Sequence, residues 1–224
     1  MAALTTHSVI AVIGAGTMGA GIAQVAALAG HPVKLYDARP QAAAQAIERI
    51  HAQLERLTKK GRLDHAAAHA AKQRLSAIEH IDALSDAALI IEAIVERLED
   101  KQTLYRSLED IAAPSCIFGT NTSSISITAI GSALQHPGRL VGLHFFNPAP
   151  IMKLVEIVSG LDTDPATAQT LYDTAQAWGK TPVHARSTPG FIVNRVARPY
   201  YAEGLRLLQE GAANVVTLDT LMRE

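Results

Sequence analysis

The sequence predicts an α/β fold with a mostly parallel sheet and helices on both faces of the sheet. Short β-branched segments alternate with longer alanine-rich segments, a pattern typical of strands that alternate with helices. A glycine-rich turn joins the first predicted strand to the first predicted helix. The length of 224 residues is enough to bury a substantial core.

Composition excludes several classes of protein. Lysine and arginine total 20 and aspartate and glutamate 21, a net charge of −1, which argues against nucleic acid or an anionic membrane as the main partner. The longest apolar stretch, residues 87–95, is interrupted by Glu92 and is too short to span a bilayer. Residues 1–7 lack the pattern of a secretory signal. The single cysteine, Cys116, permits no intrachain disulfide, so we expect a cytoplasmic protein.

Seven segments are predicted to be strands because they are short and rich in apolar, mostly β-branched residues. They are residues 9–13, 33–36, 89–91, 116–118, 140–145, 154–158 and 182–184. Three longer segments predict helices: residues 17–29, residues 41–60 and a run that ends near Gln209. One face of the second helix carries Arg49, Gln53, Arg56 and Lys60. This polar face can equally well be a binding surface or an ordinary solvent-exposed face.

The turn after the first strand reads Gly14-Ala-Gly-Thr-Met-Gly19 and indicates a Rossmann-type dinucleotide site. Gly14 permits a sharp turn, Gly16 lets a pyrophosphate approach the backbone, and Gly19 allows the helix to pack closely on the strand. Thr17 and Met18 begin the helix whose N–H groups and dipole receive the phosphate charge. A glycine turn without a ligand is the alternative interpretation.

Asp37 ends the second predicted strand and indicates which dinucleotide is bound. It lies 21 residues after Gly16, close to the spacing of about 20 expected for a carboxylate on the adenosine ribose. A carboxylate there repels a 2′-phosphate, so the sequence predicts NAD rather than NADP. Arg39 lies nearby and leaves NADP open.

The segment from His144 to Glu156 predicts a second functional cluster. Pro148 and Pro150 exclude a helix and mark a turn between two strands. A reversal centred near Pro150 places His144 opposite Glu156, within side-chain reach on one face of an antiparallel pair. The histidine relieves the cost of burying Glu156 and becomes a better base. A purely structural histidine is the alternative.

The sequence disfavours a metal site and a serine nucleophile. The cysteine and histidines show no metal-binding spacing, so no metal is predicted. The segment Asn-Thr-Ser-Ser, residues 121–124, follows a predicted strand where α/β sheets bind ligands, although a helix cap explains it equally well. No nucleophile elbow surrounds these serines.

Four sequence motifs together resemble those of the NAD-dependent L-3-hydroxyacyl-CoA dehydrogenase family. They are GAGTMGAGIA (14–23), NTSSISIT (121–128), LHFFNPAP (143–150) and TPGFIVNR (188–195). The stretch 187–201 is most similar to the branch of the family that oxidises 3-hydroxyadipyl-CoA in phenylacetate breakdown. The resemblance implies oxidation of (3S)-3-hydroxyacyl-CoA by NAD⁺ in aromatic or fatty acid catabolism.

The resemblance also implies a role for each matching residue. His144 is the general base and Glu156 orients it, while Ser123 and Asn194 hydrogen-bond the reacting oxygen or the thioester carbonyl. Glu96 and Lys101 match positions near the nicotinamide ribose. The coenzyme A positions are Arg56, Lys60, Ser123 and Asn147, and the basic face of residues 41–60 suits a polyanion. Ser123 is shared between cofactor and substrate.

The resemblance implies two domains, a nucleotide domain at residues 1–187 and the first part of a helical domain at residues 188–224. Members of the family have about a hundred residues in the helical domain, which closes the cleft and forms a homodimer, so this chain is expected to be incomplete there, with Val196, Leu205 and Leu208 exposed. Two alternatives remain: a non-catalytic NAD- or CoA-binding protein, crystallin-like or a fragment, and another Rossmann-type dehydrogenase for small hydroxy acids.

Overall fold

A computed structural model describes residues 2–223 and has the predicted α/β architecture. The eight strands are β1 (Ile10–Ile13), β2 (Val33–Tyr36), β3 (Leu75–Ala77), β4 (Leu89–Glu92), β5 (Ile117–Thr120), β6 (Leu140–Phe145), β7 (Leu154–Ser159) and β8 (Thr181–Arg186). The α-helices are α1 (Thr17–Leu28), α2 (Ala42–Lys59), α3 (His65–Gln73), α4 (Leu98–Ile111), α5 (Ile127–Gly131), α6 (Pro165–Ala177), α7 (Val193–Gln209) and α8 (Val215–Leu221).

The strands form one sheet in the order β3-β2-β1-β4-β5-β6-β7-β8. All neighbours are parallel except β6 and β7, which form the antiparallel pair predicted around Pro150. The predicted fold class, a Rossmann-type mostly parallel sheet followed by a helical segment, is therefore confirmed. The strand β3 was not predicted, because it has three residues of which only Leu75 is buried.

Helices cover both faces of the sheet and create two apolar clusters. Helices α1, α2, α3 and α6 pack on one face, where Ile22, Leu54 and Leu171 are buried. Helices α4 and α5 pack on the other face with Tyr105 and Ile130. Because the central strands are buried on both faces, their sequences are continuous apolar runs rather than alternating ones.

The last two helices contribute no buried residue to the described part of the chain. As expected, Val196, Leu205 and Leu208 are exposed, by 69%, 68% and 39%. None of the described helices combines the length and the apolar character that a membrane span needs.

The sheet gathers the candidate residues at one edge. The turn at Gly14 follows β1, Asp37 follows β2, Glu96 follows β4 and Ser123 follows β5, all at the carboxyl ends of parallel strands. Open α/β sheets bind ligands at this edge.

Candidate active site

The glycine turn between β1 and α1 is shaped by close backbone packing. Gly14 has φ of +101°, and a Cβ there would lie 2.4 Å from the carbonyl oxygen of Ala93. A Cβ on Gly19 would lie 1.7 Å from the carbonyl oxygen of Gly14. No larger residue fits either position, so both glycines are explained by the fold itself.

Gly16 differs from these two glycines because nothing in the described part of the chain requires a glycine there. Its φ of −69° is open to any residue, and a Cβ would meet no atom within 4 Å. It lines a cavity of about 710 Å³ together with Gly14, Asp37 and apolar side chains such as Leu104. The first turn of α1 carries no acidic residue, and no described side chain caps it, so its N–H groups are available to an anion.

The Asp37 carboxylate borders the same cavity and is held ionised. Its Oδ2 accepts a hydrogen bond from Ala15 N at 2.7 Å, and its Oδ1 accepts from Arg39 N at 2.9 Å and Nε at 3.0 Å. Burial acts to raise the pKa of Asp37, but the hydrogen bonds and the charge of Arg39 outweigh it and leave the pKa below its usual value. Arg39 is therefore paired with Asp37, the carboxylate whose position predicts NAD.

A buried charge network connects β4, α4 and β5 beside this cavity. The Lys101 ammonium is 1% exposed and lies 2.6 Å from Glu92 Oε1 and 3.2 Å from Glu96 Oε2. Glu92 also accepts a hydrogen bond from Thr120 Oγ1 at 2.8 Å. Lys101 thus holds Glu96 in place through its charge. The location of these two residues near the nicotinamide ribose stays a prediction.

Glu96 in turn fixes the loop that carries Ser123. Its Oε1 accepts hydrogen bonds from Thr122 Oγ1 at 2.6 Å and from Ser123 N at 2.7 Å. Burial acts to raise the pKa of Glu96, whereas the Thr122 hydrogen bond and the Lys101 charge lower it, and the net result is a lowered pKa. Asn194 Nδ2 donates to Ser123 O at 3.1 Å, so the structure brings these two predicted residues together.

His144 and Glu156 form a buried pair at the opposite register positions of β6 and β7. The distance from His144 Nδ1 to Glu156 Oε2 is 2.7 Å, and the two side chains are 6% and 0% exposed. The other carboxylate oxygen accepts hydrogen bonds from Ile192 N at 2.9 Å and Val193 N at 3.0 Å. Glu156 therefore connects the histidine to the beginning of α7, the helix that carries Asn194.

Aromatic rings surround the imidazole. Phe146 and Phe191 lie 4.5 Å and 5.7 Å from His144 between ring centroids. Phe191 is buried and has φ of +49°, in the left-handed region. These rings exclude water from one side of the His144–Glu156 pair and strengthen its electrostatic interaction.

A second cavity, of about 570 Å³, lies between α1, α2 and the β6–β7 turn. Arg56 and Asn147 line it, as do two basic residues that the sequence analysis did not assign to a site, Arg49 and Lys59. Lys60 follows the end of α2 and is exposed outside the lining. Lys59 is three residues after Arg56 and Lys60 is four, and either spacing places a lysine on the same helix face as Arg56. Spacing alone therefore could not predict which of the two lysines lines the cavity.

Glu92 was also missed as part of the site. The sequence analysis treated it as an interruption of an apolar run, whereas the structure shows it paired with Lys101. A carboxylate inside a strand of Leu-Ile-Ile is itself a signal, because burial of an unpaired charge is costly and demands a partner. Among the described residues, no group of three or more His, Cys, Asp or Glu could hold a metal ion.

The fold and the glycine turn define the class as a Rossmann-type dinucleotide-binding protein. The family model "3-hydroxyacyl-CoA dehydrogenase, NAD binding domain" matches residues 9–188, and the model for the C-terminal domain of the same enzymes matches residues 190–224. The chain belongs to the 3-hydroxyacyl-CoA dehydrogenase family, whose members are oxidoreductases. NAD, the predicted cofactor, agrees with the matched NAD binding domain.

Individual relatives are similar over nearly the whole of this chain. It is 50% identical to the 3-hydroxyadipyl-CoA dehydrogenase of Escherichia coli K12 over 96% of this chain and 45% of the relative. Identity to human mitochondrial hydroxyacyl-coenzyme A dehydrogenase is 43% over 96% of this chain and 70% of the relative.

Solved structures give the same result. The 3-hydroxybutyryl-CoA dehydrogenase of E. coli K12 superposes with a TM-score of 0.91 at 51% identity, over 94% of this chain and 44% of that one. The (S)-3-hydroxybutyryl-CoA dehydrogenase of Ralstonia eutropha has a TM-score of 0.91 at 34% identity, over 94% and 75%. The chain thus spans less than half the length of the E. coli relative and of the E. coli structure that it matches.

Proposed function

We propose that this chain carries the nucleotide-binding and proton-abstracting parts of an NAD-dependent oxidation of (3S)-3-hydroxyacyl-CoA to 3-oxoacyl-CoA. The observation that carries the proposal is the buried His144–Glu156 pair, at 2.7 Å, on the strand pair next to the loop that carries Ser123. Family membership supplies the class of reaction, and the pair supplies the base that the reaction needs.

His144 is the general base in this proposal. Glu156 accepts the hydrogen bond of the Nδ1–H, which fixes the tautomer and leaves Nε2 to accept the proton of the 3-hydroxyl. The imidazolium that forms lies beside a buried carboxylate, which stabilises its charge. Because Glu156 also accepts hydrogen bonds from the first N–H groups near α7, its carboxylate is held in place to orient the imidazole.

Ser123 and Asn194 position the reacting group. The Asn194 hydrogen bond to the backbone carbonyl of Ser123, which holds the Asn194 side chain next to the Ser123 loop, supports this role. The Glu96 carboxylate holds the Ser123 backbone. Polar groups fixed in this way orient the hydroxyl or thioester carbonyl at low entropic cost.

The residues around the larger cavity fit NAD. Gly16 leaves open the space that a Cβ would fill, the start of α1 offers N–H groups to the pyrophosphate, and Asp37 is placed for ribose hydroxyls. When bound, NAD⁺ supplies the hydride acceptor. Glu96 and Lys101 are proposed to border its nicotinamide ribose.

The smaller cavity is proposed to bind coenzyme A. Arg49, Arg56 and Lys59 present positive charge, and Asn147 lies across from them on the β6–β7 turn. Arginine and lysine pair well with phosphates. Lys60, one residue further, extends the positive charge toward solvent.

The name of the E. coli relative suggests 3-hydroxyadipyl-CoA as the substrate, and with it phenylacetate catabolism in the cytoplasm. We keep the domain division at residues 1–187 and 188–224 as part of this proposal. The homodimer that forms through the complete helical domain is proposed for the full-length relatives.

The test is NADH formation by the purified chain with 3-hydroxyadipyl-CoA or 3-hydroxybutyryl-CoA, with His144→Gln as the control. We expect turnover that the substitution reduces by about 10²–10⁴-fold. NAD⁺ binding by calorimetry separates the outcomes. Binding without turnover of either thioester would refute catalysis by this chain and leave a cofactor-binding protein, whereas turnover unaffected by His144→Gln would refute the assigned base.

A further inference from the structure

Helix α7 carries an arginine on the same face as Asn194. The Asn194 hydrogen bond to Ser123 O turns this face of α7 toward the candidate site. Arg198 follows four residues later, so it lies on that face about 6 Å further along the helix axis. Long side chains on a helix lean toward its N-terminus, so the Arg198 guanidinium can reach back over the turn that carries Asn194.

Within residues 2–223, no acidic side chain forms an ion pair with Arg198, which is exposed. Residues 186–202 contain three arginines and no aspartate or glutamate. The next arginine on the helix, Arg206, differs in this respect because its Nη1 lies 2.9 Å from Glu203. Arg198 therefore offers an available donor set for an anion.

We propose that Arg198 binds the terminal carboxylate of a dicarboxylic 3-hydroxyacyl-CoA and so selects it over neutral acyl chains. The inference rests on the proposed function and on Asn194 binding the oxygen on C3, which is one of the two oxygens proposed for it. In a six-carbon dicarboxylic chain, three carbon–carbon bonds of about 1.5 Å each separate C3 from the terminal carboxyl carbon. That span is about 4 Å in an extended chain. It is shorter than the helical pitch of about 5.4 Å, and an arginine side chain that leans toward the helix N-terminus covers the difference. The planar guanidinium can then bind both carboxylate oxygens.

The selectivity follows from the difference between the terminal carboxylate of one acyl chain and the terminal methyl group of the other. A carboxylate gains a charge-assisted hydrogen bond at Arg198, whereas a terminal methyl group gains none and leaves the arginine solvated. Because Arg198 is exposed, salt screens the interaction. The preference for the dicarboxylic thioester should therefore fall as ionic strength rises.

The experiment compares kcat/KM for (3S)-3-hydroxyadipyl-CoA and (3S)-3-hydroxyhexanoyl-CoA, which differ only in the terminal group. We expect Arg198→Met to lower the ratio of the two values about 10-fold, with the neutral substrate nearly unchanged. Arg198→Lys should keep part of the preference. Arg206→Met is the matched control and should keep all of it. Between low and high salt, the ratio should fall in the unaltered chain and stay constant in Arg198→Met.

An equal ratio in the unaltered chain and Arg198→Met overturns the proposal. If neither thioester is oxidised, the proposed function fails while this inference is still decided, by calorimetric Kd values for the same two thioesters. Tighter binding of the dicarboxylic thioester that disappears in Arg198→Met supports a carboxylate site. Equal binding of both thioesters by the unaltered chain rejects it.

Discussion

Among the three glycines of the turn, Gly16 alone lacks a structural reason within the described residues. Gly14 needs a positive φ, and Gly19 touches the Gly14 backbone, but Gly16 has an ordinary φ and open space at its Cβ position. A residue type that the fold does not require is evidence for something outside the fold. A pyrophosphate that must approach the backbone is such a reason.

Gly16→Ala should therefore separate cofactor binding from stability. We expect the free energy of unfolding to change by less than about 1 kcal/mol, since the added methyl group meets no atom. Affinity for NAD⁺ should fall about 10-fold or more, because the methyl group occupies the space next to the helix N-terminus. Calorimetry and urea denaturation measure the two quantities. Gly19→Ala is the contrasting control and should unfold readily, and equal NAD⁺ affinity in Gly16→Ala would contradict the assigned site.

Glu156 has both carboxylate oxygens occupied by donors, and this makes its isosteric replacement informative. One oxygen faces His144 Nδ1 and the other faces the N–H groups of Ile192 and Val193. A glutamine has one acceptor oxygen, so its NH₂ group must face donors at one end or the other. The substitution therefore disturbs either the histidine tautomer or the start of α7.

For Glu156→Gln we expect kcat to fall by about 10²–10⁴-fold with a smaller change in KM, because the base loses its orienting acceptor. The free energy of unfolding should fall by about 1–3 kcal/mol from the mispaired buried group. Steady-state kinetics and urea denaturation test both. Glu203→Gln, an exposed change on α7, is the control. Unchanged kcat in Glu156→Gln would remove Glu156 from the mechanism.

At the scale of elements, one carboxylate connects three of them. Glu96 follows β4, is paired with Lys101 of α4, and accepts hydrogen bonds from the loop that follows β5. The loop that carries Ser123 is thus fixed by an ionised side chain rather than by apolar packing. Its order depends on the protonation state of Glu96.

The lowered pKa of Glu96 gives that dependence a sign. A carboxyl group whose pKa is lower in the folded state adds stability above its unfolded pKa, and the contribution is lost as pH falls through the folded value. We expect the urea midpoint to decline on acidification below about pH 4.5, the ordinary value for glutamate. In Glu96→Gln this part of the decline should be reduced. An identical acid dependence of the midpoint in both proteins would contradict the assignment.

The elements also show how far sequence could predict this structure. The antiparallel register of His144 and Glu156 was predictable, because Pro148 and Pro150 fix the turn and the face of each residue then follows from strand periodicity. The strand β3 and the helix α3 were not predicted, since three residues and an alanine-rich segment carry little periodic signal. The Glu92–Lys101 pair joins different elements, and sequence spacing does not report such contacts.

At the scale of the whole molecule, the sheet separates two apolar clusters, and Cys116 reports on one of them. Cys116 immediately precedes the central strand β5, is 1% exposed and belongs to the cluster beneath α4 and α5. Burial raises the pKa of its thiol to about 12. Since the thiolate is the reactive form, the folded protein should resist alkylation.

Cys116 should therefore be alkylated through unfolding, and NAD⁺ should slow the reaction without touching the thiol. A ligand that binds the folded state reduces the unfolded population by the factor 1 + [L]/Kd, about elevenfold at ten times Kd. We expect iodoacetamide modification at pH 8 to slow by that factor in the unaltered chain and by little in Gly16→Ala. An exposed thiol, Ser115→Cys in a Cys116→Ala background, should react quickly with or without NAD⁺. Rapid modification of Cys116 that NAD⁺ leaves unchanged would mean that this part of the sheet opens locally, so that cofactor binding at β1 does not stabilise it.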